Sequence, residues 1–134
     1  AITTRAISTG ATPAEKTRIL IVDDEPNLAF ILKRVLSSLP NTVAVSTRNP
    51  YEALSASQNG YFDIIITDYQ MPEMDGLTLA NHIHHLHPQS KIIMLTAHDD
   101  AQLLKSTNNS PLYTVITKPI SPHSLRQFIS DLLN

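Results

Sequence analysis

The chain has 134 residues, of which 42% are hydrophobic and 16% charged, and a formal net charge of −2. That is the size and balance of one globular domain with its own core. The lack of cysteine excludes disulfides, thiolate zinc sites and a cysteine nucleophile. The scattered lysines and arginines form no patch for gripping a phosphate backbone, and no apolar run reaches the ~18 residues of a membrane span. With no signal-peptide pattern, the expectation is a cytoplasmic chain with neither membrane nor direct nucleic-acid contacts.

Residues 1–17 are rich in Thr and Ala, lack a helical or strand period, and read as a flexible leader or linker. The chain opens on Ala1 rather than Met, as a processed or excised fragment would. The folded domain is expected over residues 18–134. Its first apolar run, Ile19–Val22, is too short for a stable helix and reads as a buried strand. Pro26 suits a helix start. Leu28, Ile31, Leu32, Val35, Leu36 and Leu39 follow at the spacing of one apolar helix face, until Pro40-Asn41 stops it. Val43–Val45 and Ile64–Ile66 read as strands, with helices over 50–59 and 76–86. Ile92–Leu95 is a fourth strand. The segment 99–109 is a poor helix, apolar only at Ala101, Leu103 and Leu104, so a short, labile one is expected. Val115–Ile116 is a fifth strand. Ser121 then caps and Pro122 opens a last helix with the stripe Leu125, Phe128, Ile129 and Leu132.

Five strand–helix alternations imply an α/β fold, with a doubly wound five-stranded parallel sheet and five helices. Ligands of such sheets sit outside the carboxyl ends of the strands. The first run ends in Asp23-Asp24-Glu25, the third in Asp68, the fourth in Thr96-Ala97 and the fifth in Lys118-Pro119. Carboxylates crowded together repel, and a hard divalent cation such as Mg²⁺, with Mn²⁺ as the alternative, relieves them. Lys118 and the Thr96 hydroxyl complete a phosphate-binding set. Mg²⁺ and a lysine together offset charge on a transferring phosphoryl group, and a carboxylate can serve as its nucleophile.

These four elements (ILIVDDE, DYQMPEMDG, LTA and TKP, in that order) make residues 18–133 resemble the receiver domain of two-component response regulators. The resemblance implies a flavodoxin-like strand order 2-1-3-4-5. It implies that Asp68 is the phospho-acceptor. Asp23 and Asp24 would hold Mg²⁺, one directly and one through water, with Asp68 and the backbone carbonyl of Gln70 as further ligands. Thr96 would follow the phosphoryl group and Lys118 contact it. Gly76 matches the turn glycine ending the loop, and the Lys118–Pro119 peptide is often cis in such domains. The implied function is phosphorelay: a sensor histidine kinase or phosphotransfer protein donates to Asp68. The domain then switches to control an output domain or partner outside this chain, the 99–133 face serving for any dimer. It is a regulatory phospho-acceptor rather than an enzyme, although it takes part in its own phosphorylation and dephosphorylation.

Three positions depart from the family pattern. Val115 of the switch region stands where an aromatic residue is common, and Tyr113 lies two residues earlier. Asn108-Asn109-Ser110-Pro111 replaces a small turn. Gln70 and His98 occupy the two positions that tune hydrolysis. Two other functions compete. A haloacid-dehalogenase-type phosphohydrolase would need Asp-x-Asp after the first strand, whereas Asp23-Asp24 is adjacent, and no cap domain is visible. A docking module that ignores phosphate would not need all these groups. The His82–His87 run reads as a solvated helix face over a buried Ile83 and Leu86, and adventitious metal binding is its alternative. Tyr61-Phe62 is expected to pack the entry to the third strand, and Met71 and Met74 the loop after it.

Overall fold

The computed structural model describes residues 16–106 and 110–134. Of the expected leader, residues 1–15 lie outside the described residues, and so do 107–109 of the segment before the last strand. The elements alternate as β1 (Thr17–Val22), α1 (Pro26–Ser37), β2 (Thr42–Thr47), α2 (Pro50–Asn59), β3 (Ile64–Asp68), α3 (Gly76–Leu86), β4 (Lys91–Thr96), α4 (His98–Lys105), β5 (Thr114–Thr117) and α5 (Pro122–Leu133). The strands form one parallel sheet in the order β2-β1-β3-β4-β5.

Side chains alternate across a strand, so each central strand feeds two cores. Ile19 and Ile21 of β1, with Ile64 and Ile66 of β3, pack under Leu32 and Leu36 of α1 and Leu125 and Ile129 of α5. Leu20 and Val22, with Ile65 and Ile92, pack against Ala53 of α2 and Leu79, Ala80 and Ile83 of α3. Each fully buried aliphatic side chain is worth roughly 1.5–3 kcal/mol of transfer free energy. These two layers therefore clamp β1 and β3 rigidly, and those strands carry the acidic residues at their ends.

The helix starts follow local chemistry. Glu25 accepts from the Leu28 amide at 3.3 Å before Pro26 opens α1. Asn49 accepts from Tyr51 and Glu52 before Pro50 opens α2. Asp75 accepts from Thr78 at 2.8 Å at the head of α3, and Ser121 from Ser124 at 3.0 Å at the head of α5. Each satisfies an amide that the first turn leaves without a partner. Asn41, at φ 54°, takes the left-handed turn between α1 and β2. Among the helices of the described residues only α4 lacks a side-chain cap, since Ala97 precedes it, and it buries only Ala101 and Leu104. It is the short element expected from its sequence.

Two apolar residues miss their expected places. Ile31 is 43% exposed, because α1 turns Ala29, Leu32 and Leu36 inward and leaves Ile31 beside Phe30 on the flank. Leu86 is 41% exposed, because it closes the last turn of α3, past the Leu79–Ile83 stripe that meets the sheet. The neighbouring histidines divide: His82, His84 and His85 face solvent, whereas His87 is half-buried. His87 Nε2–H donates to the Ser57 carbonyl at 2.7 Å, and its ring stands edge-on to Tyr61. Phe62 is buried as expected, and Met71 and Met74 pack against the second core.

Ile83→Ala is expected to lower unfolding stability by about 2–5 kcal/mol in urea titrations, whereas Ile31→Ala shifts it by about 0.5 kcal/mol or less. Equal losses from the two would contradict this assignment of the core.

Candidate functional site

The parallel register decides which residues meet. Val22 pairs with Thr67 between β1 and β3, so Asp23 and Asp68 leave the sheet side by side. Asp68 pairs with Leu95, which puts Thr96 next along β4. Thr96 pairs with Thr117, so Lys118 follows at the end of β5, and its amide donates to the Thr96 carbonyl at 2.7 Å. Asp23, Asp24, Asp68, Thr96 and Lys118 thus come together at one edge, as the strand-end reasoning requires.

Carboxylate oxygens of Asp23, Asp24 and Asp68 all lie within 4.8 Å of one another. They are the only such acidic or histidine trio among the described residues, and the His82–His87 run forms none. The all-oxygen donor set fits a hard cation such as Mg²⁺. The Lys118 ammonium sits between two of the carboxylates, 3.4 Å from Asp23 Oδ2 and 3.3 Å from Asp68 Oδ1. Asp23 is buried, and its Oδ1 accepts from the Glu25 amide at 2.9 Å. Burial raises the Asp68 pKa above the ordinary 3.8; Lys118 opposes that rise and Asp23 adds to it. The lysine therefore compensates only part of the charge the fold gathers here.

The backbone around Asp68 is held from several sides. The Tyr69 amide donates to Asp68 Oδ1 at 2.9 Å, and the buried Thr67 hydroxyl donates to the Asp68 carbonyl at 2.9 Å. Gly76 returns the loop: its amide donates to the Tyr69 carbonyl at 2.8 Å. A Cβ on Gly76 would run into the Asp68 carbonyl oxygen and lie 2.9 Å from Met94 Sδ. Within the loop Glu73 takes a left-handed φ of 76°. The Lys118–Pro119 peptide is cis.

Thr96 is 1% exposed at the end of β4. Val115 is half-buried in β5. Tyr113 lies before β5, 51% exposed, with the Lys91 ammonium 5.9 Å from its ring centre. His98 is exposed at the first position of α4. Gln70 is exposed, and its side-chain amide donates to Asp100 Oδ2 at 3.1 Å. Sequence reasoning missed that bond and the Thr67 one, since residues 30 positions apart and a threonine inside an apolar run leave no local signal. The Gly76 contact had one: a glycine directly after a helix-capping aspartate.

Comparison with known proteins places this geometry. The profile of the response regulator receiver domain matches residues 19–130. The chain is 32% identical over 118 residues to the cyclic di-GMP phosphodiesterase response regulator RpfG of Xanthomonas campestris pv. campestris, covering 86% of this chain and 31% of that protein. It is 30% identical over 116 residues to the response regulator protein PilR of Pseudomonas aeruginosa, covering 87% of this chain and 26% of that protein. The chain thus spans about a third or less of these curated relatives. Among solved structures, the response regulator TrrA of Thermotoga maritima, in complex with Mg²⁺ and BeF, superposes with a TM-score of 0.74 at 30% identity, covering 87% of this chain and 98% of that one.

Because the Asp68 pKa is higher folded than unfolded, the native state binds that proton more tightly. Ionising Asp68 therefore costs stability, a cost that is absent below the ordinary 3.8 and grows as pH rises through the folded value. Asp68→Asn, in chelator at neutral pH, is expected to raise Tm, with the gain vanishing below the ordinary carboxylate range. A variant less stable than its parent at neutral pH would contradict this sign.

Proposed function

The chain belongs to the response regulator receiver family, and from that premise we propose that Asp68 is its phospho-acceptor, with Asp23 and Asp24 holding Mg²⁺ beside it. The family works in two-component phosphorelay signalling, where a phospho-acceptor aspartate controls an output. The observation that carries the assignment is the Lys118 ammonium placed between Asp23 and Asp68, at 3.4 and 3.3 Å. A lysine there can turn from Asp68 to a phosphoryl oxygen without leaving the site.

The residues divide the work. Asp68 attacks phosphorus in line, and the bond from phosphorus to the donor imidazole of a histidine kinase or phosphotransfer protein breaks. Lys118 meets the equatorial oxygens. Thr96 supplies a hydroxyl from the adjoining strand end. Asp23, Asp24, Asp68 and the Gln70 carbonyl would hold Mg²⁺, which would supply positive charge against the transferring group, and Mn²⁺ suits the same oxygen set. The same groups serve the later attack of water on that phosphorus, which releases phosphate and restores the Asp68 carboxylate, so the domain takes part in its own dephosphorylation.

The switch then lies in the Thr96–α4–β5 region. Val115 is too small and too stiff at χ1 for an aromatic-type rotation, so movement of Thr96 is passed on through packing at α4 and β5. Leu103 and Tyr113, 60% and 51% exposed, support that face as the one a partner or second copy reads. Thr17 already pairs with Thr42 in β1, so the expected boundary moves one residue earlier; the residues before the domain serve as its leader or linker, and the protein works in the cytoplasm. Among the described residues no helix is long and apolar enough to cross a membrane. The activity in RpfG's name belongs to that longer protein; here the output or partner is outside this chain.

Incubated with Mg²⁺ and a small acyl phosphate, the chain is expected to gain one hydroxylamine-labile phosphoryl group. Asp68→Asn should gain none, chelator should abolish labelling, and Lys118→Ala should slow it roughly 100-fold. Labelling of Asp68→Asn at the parent rate would overturn the assignment. Steady phosphate release by that variant would favour the phosphohydrolase reading instead.

A further inference from the structure

The loop after β3 and the head of α4 are joined by a side-chain bond that the phosphorelay chemistry leaves unused. Gln70 Nε2 donates to Asp100 Oδ2 at 3.1 Å. The two residues flank the mouth between β3 and β4, because Asp68 pairs with Leu95 and Thr96 follows. Gln70 lies two residues past Asp68, and Asp100 lies in the first turn of the helix that begins two residues past Thr96. A phosphoryl group on Asp68 would therefore enter between the elements that this bond ties together.

The elements differ in how firmly they are held. α4 has eight residues, no side-chain cap, and only Ala101 and Leu104 buried. The loop carrying Gln70, by contrast, is pinned at Tyr69 by the Gly76 amide and at Met71 by the second core. A charge-assisted bond from a pinned loop to a weakly anchored helix restrains the helix.

We propose that Asp100 is a positioning residue that acts through Gln70: it holds the Gln70 amide against α4, and a phosphoryl group on Asp68 must compete for that amide. This rests on Asp68 being the acceptor. Phosphoryl oxygens are strong acceptors, and the Gln70 amide has donors to offer. When the amide turns to the phosphoryl group it leaves Asp100, and the first turn of α4 is released. The bond thus opposes phosphoryl occupancy and couples it to the helix that moves, through a two-position donor rather than an aromatic rotation.

A simpler role for Asp100 is a negative charge favouring a helix N-terminus, shared with Asp99. Titration with beryllium trifluoride and Mg²⁺, followed by the Tyr69 amide resonance, separates the two. Asp100→Ala should tighten the apparent affinity about threefold to tenfold, the worth of one net hydrogen bond. Asp100→Asn keeps an acceptor but loses the charge, and should tighten it clearly less than Asp100→Ala. In a Gln70→Ala background, Asp100→Ala should add nothing. An Asp100→Ala effect that persists without Gln70, an Asn variant that behaves like the Ala one, or no effect of Asp100→Ala would overturn the proposal while leaving Asp68 as acceptor intact. A parent with no saturable response would overturn the acceptor reading and the Asp100 role with it.

Discussion

Everything in this domain turns on three carboxylates held within 4.8 Å of one another by a fold that supplies one lysine to offset them. Isolated in water such groups would separate or bind protons. Separation is barred here, because Asp23 and Asp68 leave adjacent strands whose buried aliphatic residues cannot shift without opening a core, and Asp68 holds its proton more tightly than a free carboxyl does. The aliphatic layers thus store the electrostatic tension at the sheet edge. A divalent cation is the kind of partner that would relieve it.

The loop after β3 makes that arrangement specific. Gly76 lets the head of α3 come down on the Asp68 carbonyl, where any side chain would collide. Asp75 caps the helix at the same point, and the Thr67 hydroxyl holds that carbonyl from the strand side. Backbone position at Asp68 is consequently fixed from three directions before any ligand arrives. Such preorganisation is what lets a carboxylate act as an in-line nucleophile without the site rearranging.

The sequence-level reading was strong wherever one local rule governed. Short β-branched runs bounded by polar residues located all five strands, and Pro26 and Pro122, the second behind a capping Ser121, marked two helix starts. Strand-end logic alone gathered Asp23, Asp24, Asp68, Thr96 and Lys118. The strand order needed the family resemblance, because alternation gives parallel pairing but not sequence of neighbours. Ile31 and Leu86 were misplaced because an apolar periodicity defines a stripe, not its edges or where the sheet beneath it ends. The Gln70–Asp100 bond joins residues that only the β3–β4 register brings together, so no spacing could announce it. The relay side of the site is where Val115 departs from the pattern the resemblance implies and where α4 lacks a side-chain cap.

The electrostatic account is tested most directly by a Mg²⁺ titration of the Tyr69 amide in the parent, Asp68→Asn and Lys118→Met. If Lys118 and the cation share the same carboxylates, removing the lysine tightens Mg²⁺ binding and removing the Asp68 charge weakens it, each about tenfold. Mg²⁺ affinities indifferent to both substitutions would contradict the claim that these carboxylates and this lysine form one site.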